Sequence, residues 1–180
     1  MIKALAIAFT ITVLGCGGND GRAPAVDRRV PRTQEEMIQE NRDAIKLENH
    51  DIDLYVRRYG YEMRSTGTGV RYQMMRDREG EKAKPGQWAI VNYSALLMSG
   101  DTAYASRKGE PESFKVEMDD VESGLHEAIQ LMSPGDSAVI IIPSYRAHGL
   151  IGDQKKIPMR STVIYHIGLA KVSGERIGDR

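Results

Sequence analysis

The chain has 180 residues, with 25 Lys plus Arg balanced by 25 Asp plus Glu, and a formal net charge of zero. That balance leaves no basic footprint for nucleic acid, so none is expected as a partner. A hydrophobic fraction of 41% suits a modest globular core, and a single cysteine excludes an intrachain disulfide.

At the N-terminus, Lys3 precedes an apolar run from Ala4 to Leu14. This is the shape of a secretory signal, and it falls short of the roughly 20 residues a membrane-spanning helix needs. The run closes on Val13-Leu14-Gly15-Cys16 and there resembles the bacterial lipoprotein signal, which is cut before a lipid-modified cysteine. The resemblance implies a signal peptide over 1–15, a lipid anchor on Cys16 and an extracytoplasmic place at the cell envelope, held by the membrane. Stable anchoring requires more than one acyl chain. Residues 16–32, rich in Gly, Pro and charge, read as a flexible tether.

Thr33-Gln34-Glu35-Glu36 has the spacing of a capping box and opens a helical arm over 33–60. Met37, Ile38, Ala44, Ile45 and Leu47 follow at helical spacing. Asn49 is expected to cap a second helix, in which Ile52, Tyr55, Val56 and Tyr59 form an apolar stripe that ends at Gly60. The stripe is expected to pack on the domain that follows. The alternative is a dimer arm, but no sustained heptad supports it.

From residue 61 the period changes to two. Val70, Tyr72 and Met74 alternate with polar residues, as do Val91, Tyr93, Ala95 and Leu97. Phe114 and Val116 form a shorter run, Ala138 to Ile142 is unbroken, and Val163, Tyr165, Ile167 and Leu169 alternate again. One helix, about 119–132, interrupts these strands. The expected class is α+β: an antiparallel, twisted sheet of five to six strands wrapped on one short helix, over 61–174, with a C-terminal tail at 175–180. The four histidines, at 50, 126, 148 and 166, have no metal-ligand spacing, and no metal or cofactor is expected.

Six short motifs then fall in order. They are Val91-Asn92-Tyr93, Val121-x-x-Gly124, Met132-x-x-Gly135-Asp136, Ala147-His148-Gly149, Ile157-Pro158, and the strand from Thr162 to Leu169. Over about 68–172 the chain resembles the FK506-binding-protein family of peptidyl-prolyl isomerases. With its arm and signal it further resembles lipid-anchored members in Bacteroidetes, some of them associated with gliding motility. The resemblance implies a proline pocket lined by Tyr93, Tyr104, Val121, Leu125, Ile157 and Tyr165. It also implies a peptide contact at the Glu122 amide, and His148 in place of a donor tyrosine. Gly124 then lets the helix sit close to the sheet. All these motifs follow the arm, so peptide binding is expected to be separable from it.

The implied chemistry needs no nucleophile. An X-Pro bond rotates over a barrier of about 18–20 kcal/mol between isomers that differ by about 0.5–1 kcal/mol. A dry pocket that binds the twisted imide better than the planar one lowers that barrier. Besides His148, and Tyr104 where phenylalanine is usual, four positions depart from the family pattern: Ala105 replaces an aspartate, Glu112 a phenylalanine, Glu122 an apolar residue and Leu125 a tryptophan floor. The expectation is therefore an envelope isomerase, of reduced activity, acting on proline-containing exported polypeptides. The alternative is a non-catalytic peptide-binding chaperone or assembly subunit on the same fold.

Overall fold

The computed structural model describes residues 33–175. The expected signal peptide, Cys16 and the tether lie outside the described residues, as do the last five residues of the tail. Helix α1 spans Gln34–Tyr59 as one continuous element. Its capping box is formed: the Glu36 amide donates to Thr33 Oγ1 and the Thr33 amide to Glu36 Oε2, each at 3.1 Å. It ends at Gly60, which adopts the left-handed conformation (φ 67°). Asn49 does not start a second helix. Its side-chain amide donates back to the Ile45 carbonyl (2.9 Å), a bond that leaves the helical backbone unbroken, and its Oδ1 accepts from Arg71.

Seven strands form one antiparallel sheet among the described residues. They are β1 (Arg64–Ser65), β2 (Arg71–Arg76), β3 (Trp88–Leu97), β4 (Thr102–Ala105), β5 (Glu112–Lys115), β6 (Ser137–Ile142) and β7 (Val163–Ser173). The order is β1-β2-β6-β7-β3-β4, with β5 also paired to β3. The two strands beyond the expected set are β1, of two residues, and β4, of four. Helix α2 covers only Ser123–Ile129. It is shorter than its apolar stripe because the following turns tighten: the amides of Leu131 and Met132 bond three residues back, to Ala128 and Ile129. The turn then closes on Asp136, whose buried carboxylate accepts from the Ser133 and Arg78 amides, each at 2.6 Å.

The unbroken apolar run of β6 is explained by what covers it. Ala138, Ile140 and Ile142 face the α2 side, in one cluster with Leu125, Ala128, Ile129 and Met132. Val139 and Ile141 face the other way and join Ile164 of β7 and Ile52 and Tyr55 of α1. The sheet is thus buried on both faces here, which is why its central strand does not alternate. The arm is the second cover, consistent with its stripe packing on the sheet. Arg71 of β2 adds an ion pair to Asp53 of α1 (2.7 Å).

Gly124 is required by the same packing. A Cβ there would overlap Cγ2 of Ile142 and lie 3.2 Å from Val70 Cγ2 and 3.3 Å from the Arg146 carbonyl oxygen. If α1 belongs to the core, Ile52→Ala will cost about 2–5 kcal/mol, as expected for a fully buried isoleucine. Urea unfolding followed by circular dichroism will measure it, with a single transition shared by arm and sheet.

Candidate functional site

The register of three neighbouring strands builds one wall of the candidate cleft. Ala95 of β3 pairs with Tyr104 of β4 on one side and Tyr165 of β7 on the other. Ala95 is fully buried, and its small side chain leaves room for the two phenol rings that flank it. Tyr93, two residues earlier on the same face, meets Tyr165 diagonally, with ring centroids 5.8 Å apart at 45°. The start of α2 adds Val121, Glu122 and Leu125. Leu125, Ile157 and Tyr165 share the buried cluster against which Tyr93, Tyr104 and Val121 pack. The 20-residue connection from β6 to β7 (residues 143–162) adds His148, Asp153 and Ile157.

Polar groups organise this cleft more than its sequence suggests. Glu122 is only 8% exposed, and its side chain turns towards Tyr165 and His148. Its Oε1 accepts from the Tyr165 hydroxyl (2.7 Å) and from His148 Nε2 (2.9 Å). The expected contact at Glu122 is its backbone amide; the structure adds a buried carboxylate that ties β7 to the loop. Burial, and then the Glu122 charge, push the Tyr165 phenol far above its ordinary range. Tyr93 donates to Glu112 Oε2 (3.1 Å), and its phenol is pushed up to about 12 by burial and then by Glu112. Both rings therefore remain neutral hydrogen-bond donors at physiological pH.

Sequence reasoning missed Asp153. It accepts a hydrogen bond from the Tyr104 hydroxyl, and its Oδ1 accepts from the amides of Lys155, Lys156 and Ile157 (2.9, 2.9 and 2.8 Å). Burial acts to raise this carboxyl, but those four bonds outweigh it and hold its pKa below the usual carboxylate range. The flap that carries Ile157 is thus fixed to β4 through Tyr104. Lys156 also lies over the Tyr104 ring, 5.0 Å from its centroid. The signal was available: an aspartate two to four residues before three consecutive amides is the pattern of a side-chain-capped turn. Ala105, by contrast, is exposed and offers no polar group.

The histidines have separate fates. His126 is buried on α2: Nδ1 accepts from the Glu117 amide (2.9 Å) and Nε2 donates to the Asp119 carbonyl (3.0 Å). His50 and His166 are exposed, and His148 alone reaches the cleft. Among the described residues no three His, Cys, Asp or Glu side chains gather as metal ligands.

Residues 79–170 match the sequence model of a family described as FKBP-type peptidyl-prolyl cis-trans isomerase. The chain is similar to the FKBP-type peptidyl-prolyl cis-trans isomerase FkpA of Escherichia coli K12, at 31% identity over 113 residues, covering 61% of this chain and 40% of that protein. It therefore spans well under half the length of that relative. It is also similar to the FKBP-type 22 kDa peptidyl-prolyl cis-trans isomerase of the same strain, at 26% identity over 85% of this chain and 77% of that one. Among solved structures, E. coli FkpA superposes with a TM-score of 0.63 at 26% identity, over 77% of this chain and 64% of that chain. A peptidyl-prolyl cis-trans isomerase of Pseudomonas syringae shares the fold with a TM-score of 0.64 at 24% identity, over 73% of this chain and 95% of that chain.

The Tyr165–Glu122 bond is testable as a pair. Tyr165→Phe leaves Glu122 buried with one donor fewer and should destabilise by about 1–3 kcal/mol. The double variant Tyr165→Phe/Glu122→Leu removes both polar partners and should be less destabilised than the two single effects summed. Denaturant midpoints for the four proteins of this cycle give the coupling directly.

Proposed function

The chain belongs to the FKBP-type peptidyl-prolyl cis-trans isomerase family, and from that premise we propose that it accelerates cis–trans rotation of X-Pro bonds in exported polypeptides at the cell envelope. What supports this reading is that Tyr93, Val121, Leu125, Ile157 and Tyr165, from four separate segments, share one hydrophobic cluster, with the rings of Tyr93 and Tyr165 in contact. A twisted imide has lost its resonance and carries a less polar carbonyl. An apolar pocket favours it over the planar ground states, and this difference in binding lowers the barrier. On this reading the backbone amide of Glu122 and the imidazole of His148 hold the flanking peptide. No cofactor enters, since no bond is made or broken.

The same cleft supports a reduced rate. Leu125 offers a smaller, rounder floor than a tryptophan, whose buried surface is about 150–250 Å². Glu122 brings a carboxylate into a pocket that works by being apolar. That carboxylate also favours a second reading, in which the cleft grips a proline-containing peptide as a chaperone or assembly subunit without useful turnover. The two readings part in a single experiment: peptide binding with no acceleration of cis-to-trans conversion would replace the first by the second.

The proposal extends to the anchor. Cys16 ends the N-terminal apolar run and is the only cysteine in the chain. Among the described residues no helix is long and apolar enough to cross a membrane. Lipidation of Cys16 would therefore supply the attachment that keeps the isomerase beside its exported clients.

Two outcomes are expected. In a proline-peptide assay the protein shows low but measurable isomerisation, and folded Leu125→Trp raises kcat/KM by about threefold to tenfold, at 1.4 kcal/mol or less of added transition-state contact. A folded Leu125→Trp with unchanged rate would remove Leu125 from the pocket. In cell fractionation the wild type stays with the membranes and Cys16→Ser is released; a soluble wild type would refute the anchor.

A further inference from the structure

Glu48 stands on α1, in the arm that precedes every isomerase-like motif. Its carboxylate accepts three hydrogen bonds from the domain. Oε1 takes the Ser144 amide and the Thr162 hydroxyl, both at 2.6 Å, and Oε2 takes the Ser144 hydroxyl at 2.9 Å. Ser144 and Thr162 are both buried. Ser144 lies two residues beyond the end of β6, and Thr162 immediately precedes β7. One side chain of the arm therefore closes the neck of the loop 144–162. That loop presents His148, Asp153 and Ile157 to the cleft.

The rest of the loop has little apolar hold on the arm. Leu150, Ile151 and Met159 are 59%, 69% and 67% exposed. Between loop and helix runs a groove of about 760 Å³, lined in part by Leu47, Glu48, Tyr145, Leu150 and Thr162. Across this gap the loop is held by polar bonds rather than by packing, and the three to Glu48 are the shortest of them. Arg160 reaches Asn41 only at 3.5 Å. On its inner side the loop is tied to α2: the Ser123 hydroxyl donates to the Arg146 carbonyl (3.1 Å) and Arg146 pairs with Glu127 (3.0 Å). Hydrogen bonds to a charged acceptor are the strong class, so the neck is the outer tie that counts.

We propose that Glu48 is a positioning residue of the isomerase site, pinning both ends of the loop 144–162 and so fixing His148 and Ile157 against the cleft. This rests on the function proposed above. It also makes the arm part of the peptide site, against the expectation from motif order that the two are separable.

The test compares full-length wild type with Glu48→Ala, Glu48→Gln and Asp51→Ala. Asp51 borders the same groove and, among the described residues, makes no bond to the loop. Hydrogen exchange read by mass spectrometry should show segments within 144–162 exchanging about tenfold or more faster in Glu48→Ala, with β6 and β7 unchanged, as for a local opening. KM for a proline peptide should rise several-fold more than kcat falls. Glu48→Gln keeps an acceptor oxygen and should recover part of both effects, while Asp51→Ala should match wild type. Unchanged exchange in the loop, or acceleration spread evenly over the whole protein, would overturn the proposal. If Glu48→Ala does not fold, Thr162→Val removes one bond from the neck, and the same local exchange pattern decides. A wild type without turnover would sink the isomerase reading, while the exchange measurement and peptide affinity still judge Glu48.

Discussion

The structure depends on the double burial of β6. Five consecutive apolar residues, Ala138 to Ile142, form a strand whose two faces both exclude water. At roughly 25 cal/mol per Å² of apolar surface, neither face can be left wet without a large loss. One face is satisfied by α2 and the other by α1. Three consequences follow. The α2 face demands close approach, which only a glycine at 124 permits. Close approach brings the start of α2, with Val121, Glu122 and Leu125, up to the aromatic wall formed by β3, β4 and β7. The α1 face brings Glu48 to the point where β6 ends and β7 begins.

Carboxylates organise the cleft. Glu122 joins Tyr165 to His148, Asp153 joins Tyr104 to the amides of Lys155 to Ile157, and Glu48 joins the two ends of the loop. Each sits where an acceptor can collect two or more donors from segments far apart in sequence. A buried acceptor left unpaired is costly, so such networks specify one arrangement of the loop rather than several. The pocket thus combines apolar contact from Val121, Leu125 and Ile157 with a fixed polar frame. On the proposed isomerase reading, that frame would serve position rather than chemistry.

Much of the architecture was legible along the chain. The capping box at Thr33–Glu36, the stop at Gly60, the alternating strands and the unbroken run of β6 each carry a local physical signal, and each is found. Asn49 shows where local signals fail. Its type suits a cap, but with helix-forming neighbours on both sides its side chain bonds inward to Ile45 and the helix runs on. The aromatic and aliphatic members of the candidate site came from the family resemblance, and the structure packs them in one cluster. The site's carboxylates were legible only as departures. Glu122 and Glu112 stand out in the sequence only as charged residues at apolar positions, and nothing around them points to the hydroxyls they bind.

By itself the sequence determined most of the elements: the capped arm, five of the seven strands and the helix among them. Periodicity and capping are properties of neighbours, and neighbours are written in order. Only the tertiary structure decided which donors meet which carboxylates. Glu48 bonds Ser144 and Thr162 across 96 and 114 residues, and Asp153 meets Tyr104 across 49. No local pattern encodes such pairs. They exist because the hydrophobic burial of β6 on two faces has already placed the segments side by side, and the polar groups take the partners that this packing leaves within reach.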